Sequence, residues 1–169
     1  MTTGAIQDVP DATACARIYE QWHERAKTRD VEGLLALYAA DAVLESPLVP
    51  AILGKADGVL RGRDAIAPFL REGTARRPDS LVRWYRTGTY LTDGRLLMWE
   101  YPRTTPDGEQ IDIMEVMEIE QGLIARHRIY WGWKGCARIA SAMSRNASLM
   151  EQRAIAAATS FDQGIHPHA

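Results

Sequence analysis

Cysteine is scarce in this sequence, and so is net charge. Only Cys15 and Cys136 occur in 169 residues, far apart and outside any CxxC spacing. A disulfide framework or cysteine-based metal centre is therefore not expected, and two packing cysteines in a reduced, cytoplasmic chain is the reading they support. The formal charge is −2 with acids and bases interspersed, which gives no electrostatic reason to expect nucleic acid or an anionic membrane as partner. The arginine runs at 71–77 and 83–86 read as a solvated helix end and an exposed strand face. No apolar run approaches the ~18 residues needed to cross a bilayer, and residues 1–10 lack the basic-then-apolar order of a secretion signal. Glycine-rich phosphate cradles and nucleotide fingerprints are missing too. No short ligand spacing joins the histidines to carboxylates, so no metal is expected and no cofactor is implied.

What is present is enough apolar material, 46% of residues, for one domain with a real core. Asp11 or Thr13 can cap a first helix to about Thr28, with Cys15, Ile18, Tyr19, Trp22, His23 and Ala26 as its inner stripe. Asp30 can cap a short second helix that carries Leu34, Leu35, Leu37 and Tyr38 inward. A short strand over Ala42–Ser46 stops at Pro47. Residues 50–61 read as a loop, and Asp64 opens a third helix through Ile66, Phe69 and Leu70 that ends near Gly73. Four strands follow, about Leu81–Leu91, Leu96–Thr104, Glu109–Ile119 and Leu123–Trp133, joined by Asp93-Gly94, Thr105-Pro106-Asp107-Gly108 and Glu120-Gln121-Gly122. Such hairpins make an antiparallel meander. Ala137 to about Phe161 reads as a helix, and the tail with His166 and His168 as frayed.

Within the third long strand, period-two alternation puts Ile111, Ile113, Glu115, Met117 and Ile119 on one face. Four of the five are apolar, so Glu115 is an acid on a buried face and must find a partner or carry a raised pKa. A three-residue loop over Glu120-Gln121-Gly122 pairs Ile119 with Leu123 and sets Glu115 opposite His127. An acid beside an imidazole in apolar surroundings is an arrangement suited to proton transfer.

The run Arg29-Asp30-Val31-Glu32-Gly33-Leu34, followed by Leu37 through Pro47, then Gly62-Arg63-Asp64-Ala65-Ile66 and finally Gly122-Leu123-Ile124 with Tyr130-Trp131, resembles the SnoaL-like branch of the nuclear transport factor 2-like superfamily. The resemblance covers roughly residues 13–134. It implies an α+β fold: a cone-shaped, strongly curved antiparallel sheet packed against three N-terminal helices, here with an extra C-terminal helix. On that reading residues 1–12 are a tail, 13–135 the barrel-like domain, 136–162 a helical extension and 163–169 a flexible tail. The fold hosts isomerases, dehydratases, epoxide hydrolases, cyclases and non-catalytic proteins, so it does not name a reaction. Carried over from ketosteroid isomerases, the general-base position is Ser46, the oxyanion tyrosine position is Trp22, the protonated acid position is Glu115 and the pocket tryptophan position is Trp131. The base is thus missing, which argues against that isomerisation. Cyclases of the SnoaL type pair a carboxylic acid with histidine, as Glu115 and His127 would.

The function expected is cofactor-independent acid–base proton transfer (elimination or dehydration, isomerisation or cyclisation) on a hydrophobic, aromatic or polycyclic hydroxylated small molecule, with a lyase as one form. Glu115 and His127 are the catalytic candidates. Tyr19, Trp22, His23, Tyr38, Ser46, Trp84, Glu100 and Trp131 are the substrate-binding candidates, and no metal ligand is among them. The alternative is a non-catalytic ligand-binding or assembly domain, in which Glu115 has a fixed structural partner. Met114 and Val116, apolar on the face opposite Glu115, fit a homodimer, as relatives commonly form.

Overall fold

The computed structural model describes residues 10–77, 89–104 and 108–162, with the side chains of 101–104, 149–150 and 153–162 outside that description. Helix α1 (Ala12–Thr28) begins where Asp11 accepts hydrogen bonds from the amides of Thr13 and Ala14. Its buried stripe is the expected one: Cys15, Ile18, Tyr19, Trp22, His23 and Ala26. The Asp30 side chain caps α2 (Val31–Ala36) by accepting from the Gly33 amide. Such caps satisfy amides that have no partner inside the helix.

Tyr38 does not extend that helix. It opens strand β1 (Tyr38–Glu45), four residues before the expected start. The presumed loop holds two elements, helix α3 (Leu48–Leu53), ended by Gly54 at φ 64°, and strand β2 (Val59–Arg61). A single helical turn with Pro50 inside it offers too little periodicity to show against Gly54 and Gly58. Helix α4 (Arg63–Ala75) carries Ile66, Ala67 and Phe69 inward. After it come β3 (Leu91–Thr92), β4 (Leu96–Thr104), β5 (Gln110–Glu120) and β6 (Leu123–Trp131). Most of the strand expected over Leu81–Leu91, including Trp84, lies outside the described residues. Helix α5 (Trp133–Asp162) starts earlier than expected and takes in Trp133, which is 85% exposed rather than on a strand face.

The six strands form one sheet in the order β2-β1-β6-β5-β4-β3. Four pairings are antiparallel, but β1 lies parallel to β6, with Leu44 beside His127. The meander therefore folds back onto the first strand, and the sheet is mixed and open. One face packs against α1, α2 and α4 through Ile18, Trp22, Leu34, Phe69, Leu97, Trp99, Ile113 and Met117. Each such side chain stabilises the fold by roughly 1.5–3 kcal/mol on burial. On the other face Met114 and Tyr130, which are cross-strand partners, stay partly exposed. Helix α5 is tied to α3 by a hydrogen bond from the Asn146 side chain to the Ala51 carbonyl at 2.9 Å.

Candidate functional site

The expected face of β5 is the buried one: Ile113, Glu115, Met117 and Ile119 all point into the core. The register, however, differs from expectation. The turn has two residues, Gln121 (φ 49°) and Gly122 (φ 75°), so Glu120 pairs with Leu123. Positive φ at both positions is the type I′ geometry that suits the twist of a hairpin, and glycine adopts it without strain. One residue later the ladder slips: Ile119 pairs with Ile124, but Glu118 pairs with Arg126, leaving Ala125 as the extra residue of a bulge. His127 thus stands opposite Met117, and Glu115 opposite Ile129.

Glu115 and His127 are diagonal neighbours on the inner face, and their side chains meet. His127 Nε2 lies 2.6 Å from Glu115 Oε2, with both residues almost fully buried. On the other side of the ring, the Tyr38 hydroxyl lies 2.7 Å from His127 Nδ1. Tyr38 is completely buried. It is therefore not a substrate contact as expected but the third member of a buried Tyr38–His127–Glu115 chain. Its position at the start of β1 is held by Arg63, whose guanidinium donates to the Tyr38 carbonyl at 2.5 Å.

The donors fix the direction of this chain. Burial pushes the Tyr38 hydroxyl far above the usual phenol range and the negative charge of Glu115 adds to that, while a hydrogen bond from the Trp22 side chain opposes them. Tyr38 therefore stays protonated. Its proton can then go to His127 Nδ1, the contact that assigns the imidazole tautomer. The imidazole then carries its proton on Nε2 and donates it to Glu115. Every proton in the chain is then directed at the carboxyl group, which satisfies a buried acid by hydrogen bonding.

Glu115 also faces a partly open cavity of about 100 Å³. Trp22, Ile113, Ile129 and Trp131 form wall beside it, and Leu34 and Phe69 come from the helices. Thr74 and Arg77, at the end of α4, complete the polar lining. Neither His127 nor Tyr38 is part of this lining. The group presented to a ligand is Glu115, with His127 behind it.

The other expected contacts fall in three places. Trp22 and Trp131 do line the cavity. Tyr19 and His23 do not; they pack with Trp99 and Tyr90 in an aromatic cluster, where ring centroids of Tyr19 and His23 are 4.3 Å apart and those of Tyr19 and Tyr90 4.6 Å. His23 Nδ1 meets the Tyr19 carbonyl at 2.8 Å, and burial holds its pKa below the usual imidazole value despite that bond and the charge of Glu115. Ser46 is buried, but its hydroxyl accepts from the Leu48 amide at 3.2 Å and shapes the turn into α3 instead of facing the cavity. Glu100 is exposed on the opposite face of β4, opposite Met114, whereas Trp99 is the inward residue and pairs with Glu115.

Arg77 went unrecognised because the arginine run reads as solvent-facing. That holds for Arg71, paired with Glu32 at 2.7 Å, and Arg76, paired with Glu72 at 3.2 Å. Arg77 instead continues the spacing of Ile66, Leu70, Gly73 and Thr74, the helix face that turns inward. That periodicity is the signal that would have singled it out.

A family model described as a SnoaL-like domain matches residues 19–127, well over half of the chain. No curated protein sequence is detectably similar. Among solved structures, a steroid delta-isomerase from Pseudomonas aeruginosa is similar at 18% identity and a TM-score of 0.54, covering 85% of this chain and 98% of that one. A SnoaL-like protein of unknown function from Burkholderia thailandensis has 16% identity and a TM-score of 0.55, over 73% and 98% of the two chains. A nuclear transport factor 2-like protein of unknown function from Burkholderia pseudomallei has 16% identity and a TM-score of 0.56, over 75% and 97%. At these identities the likeness is one of fold.

Proposed function

Because this chain belongs to the SnoaL-like domain family, whose fold carries several chemistries, we propose from its site that it is an acid–base enzyme in which the Glu115 carboxylate moves a proton on an apolar, oxygen-bearing small molecule. The observation that carries this reading is a single one: a buried carboxylate supported by His127 at 2.6 Å forms part of a cavity wall. Elimination, isomerisation and cyclisation all begin with removal of a proton from carbon, and a positioned base contributes about 10²–10⁴-fold to such a step. His127 orients the carboxylate and spreads the proton's charge as Glu115 takes it up. Tyr38 keeps the imidazole in the tautomer that does so.

The cavity beside Glu115 is partly open and holds about 100 Å³, less than the ~150 Å³ cavity that admits a benzene ring. A small group fits beside Glu115, and an aromatic or polycyclic part of the kind expected from the sequence would extend through the opening. We extend the proposal to a homodimer formed through the outer sheet face, where Met114 and Tyr130 are exposed side by side. Light scattering that gives a monomer mass removes that extension.

The test is hydrogen exchange. Small enolisable carbonyl compounds are incubated with the protein in D2O, and deuterium uptake at carbon is followed by NMR. Uptake catalysed by the wild-type chain and reduced at least ~100-fold in Glu115→Gln supports the proposal. Equal uptake by both removes it. A second reading, a binding domain in which Glu115 is structural, draws on the fixed partner that His127 gives it. It predicts that Glu115→Gln changes stability alone.

A further inference from the structure

Gly135, the third residue of α5, is buried. Its backbone is helical, so its conformation does not call for glycine, and glycine inside a helix costs about 0.5–1 kcal/mol against alanine. Space calls for it instead. A Cβ at this position would lie 2.8 Å from Trp131 Cε3, 3.4 Å from Trp131 Cβ and 3.6 Å from Trp131 Cδ2, whereas carbon atoms in contact stand about 3.5–4.0 Å apart. The start of α5 is therefore the support on which the Trp131 side chain lies. Trp131 is at the same time a wall of the cavity that holds Glu115. Among the described residues nothing accepts a hydrogen bond from its buried indole N–H, so packing sets the tilt of the ring. The same helix reaches a second wall. Asn146, about three turns further on, donates to the Ala51 carbonyl of α3 at 2.9 Å, and Leu48 and Ile52 of α3 line the cavity.

We propose that Gly135 is a positioning residue which, through Trp131, sets the size of the apolar group that the cavity accepts beside Glu115. This rests on the reading of that cavity as the seat of the substrate. A methyl group on Gly135 has to push the indole away from α5. The close-packed core yields little, and the open space next to the ring is the cavity it lines. The wall then moves inward, and a branched alkyl arm loses its place before a small one does. Leu34, Phe69, Ile113 and Ile129 make much of the remaining lining apolar, so the arm under selection is a hydrocarbon one.

The test compares acetone with methyl isobutyl ketone, which share an enolisable methyl ketone group and differ in the alkyl arm. Dissociation constants come from NMR titration of the wild-type protein, Gly135→Ala and the double variant Gly135→Ala with Trp131→Phe. Folding of each is checked by its thermal transition, and deuterium uptake at carbon is followed on the same samples. The wild type is expected to bind the larger ketone at least ~10-fold more tightly, since its extra carbons are buried. Gly135→Ala brings the two ketones within about threefold of each other. The double variant regains the preference, because a phenyl ring lacks the fused ring that carries Cε3 and leaves room for the new methyl group. If Gly135→Ala does not fold, the double variant decides: it must fold and show the preference. No preference in the wild type, binding of neither ketone at millimolar concentration, an unchanged preference in Gly135→Ala, or a loss that Trp131→Phe does not reverse each overturns the proposal. The expected binding pattern without deuterium uptake would leave this proposal standing and remove the acid–base reading. Uptake that is lost in Glu115→Gln, with a size preference indifferent to Gly135, would do the reverse.

Discussion

His127 and Glu115 touch at 2.6 Å although neither is the other's cross-strand partner; the bulge at Ala125 makes them diagonal neighbours. A two-residue turn without that bulge would pair His127 with Val116, on the opposite face of the sheet, because a slip of one residue reverses every side chain. The bulge restores the face by shifting the register one residue, so that His127 opposes Met117.

Deletion of Ala125 tests this relationship directly. Without Ala125 the ladder runs regularly from Ile119–Ile124 through Glu118–Arg126 to Met117–His127, so His127 keeps its face. The expected outcome is a retained Glu115–His127 pair and a stability close to that of the wild type. Urea denaturation of the deletion variant checks it, and a fall of several kcal/mol would show that the pair depends on the bulge itself and not on the register.

The buried pair should behave cooperatively in a mutant cycle. His127→Leu takes the imidazole away from the buried Glu115 and is expected to cost about 3–5 kcal/mol. Adding Glu115→Leu should recover much of that loss, because two apolar groups replace two polar ones. Chemical denaturation of both singles and the double gives the coupling energy, and simple additivity would contradict the geometry.

Tyr38→Phe removes the hydroxyl from His127 Nδ1 and strands a buried acceptor, at an expected cost of about 1–3 kcal/mol. In a chain of this size that lowers Tm by roughly 2–12 °C. In any exchange or turnover assay the same variant should shift the pH profile, since the imidazole is released from a single tautomer. An unchanged profile with a lowered Tm would assign Tyr38 to packing alone.

His23 gives a pH dependence of stability with a defined sign. Burial lowers its folded pKa below the value of 6.5 that holds when the chain is unfolded. Between the two values the unfolded chain binds more protons, so stability is lost as pH falls below 6.5 and is complete above it. The slope from one such group is at most about 1.4 kcal/mol per pH unit. Denaturation midpoints measured from pH 7 to pH 5 should fall less steeply in His23→Gln than in the wild type.

Much of this was legible in the chain itself. The caps at Asp11 and Asp30, the stripe of α1 and the inward face of β5 follow from local rules, and local rules suffice for them. Glu115 was visible as the one acid in an apolar alternation. The register to His127 was off by two residues because nothing in Leu123-Ile124-Ala125 marks a bulge, yet a three-residue loop and a two-residue turn with a bulge preserve the same face. Tyr38 was misplaced because Leu34, Leu35, Leu37 and Tyr38 keep helical spacing past the end of α2. Its partnership with β6 is a long-range fact that no window of sequence contains. Glu100 falls on the outer face, with Trp99 inward, for a simpler reason: alternation fixes which residues share a face, and only packing decides which face is inside.

The parallel pairing of β1 with β6 also sets an order of assembly. Glu115 and His127 are 12 residues apart and belong to one hairpin, while Tyr38 and His127 are 89 apart. Closing the longer loop costs about 2 kcal/mol more in chain entropy. In refolding, the acid–imidazole contact forms with the hairpin, and the tyrosine joins only when the first strand docks. A refolding chain thus joins the acid to the imidazole before the hydroxyl that orients it, and docking of the first strand is the event that completes the hydrogen-bonded chain.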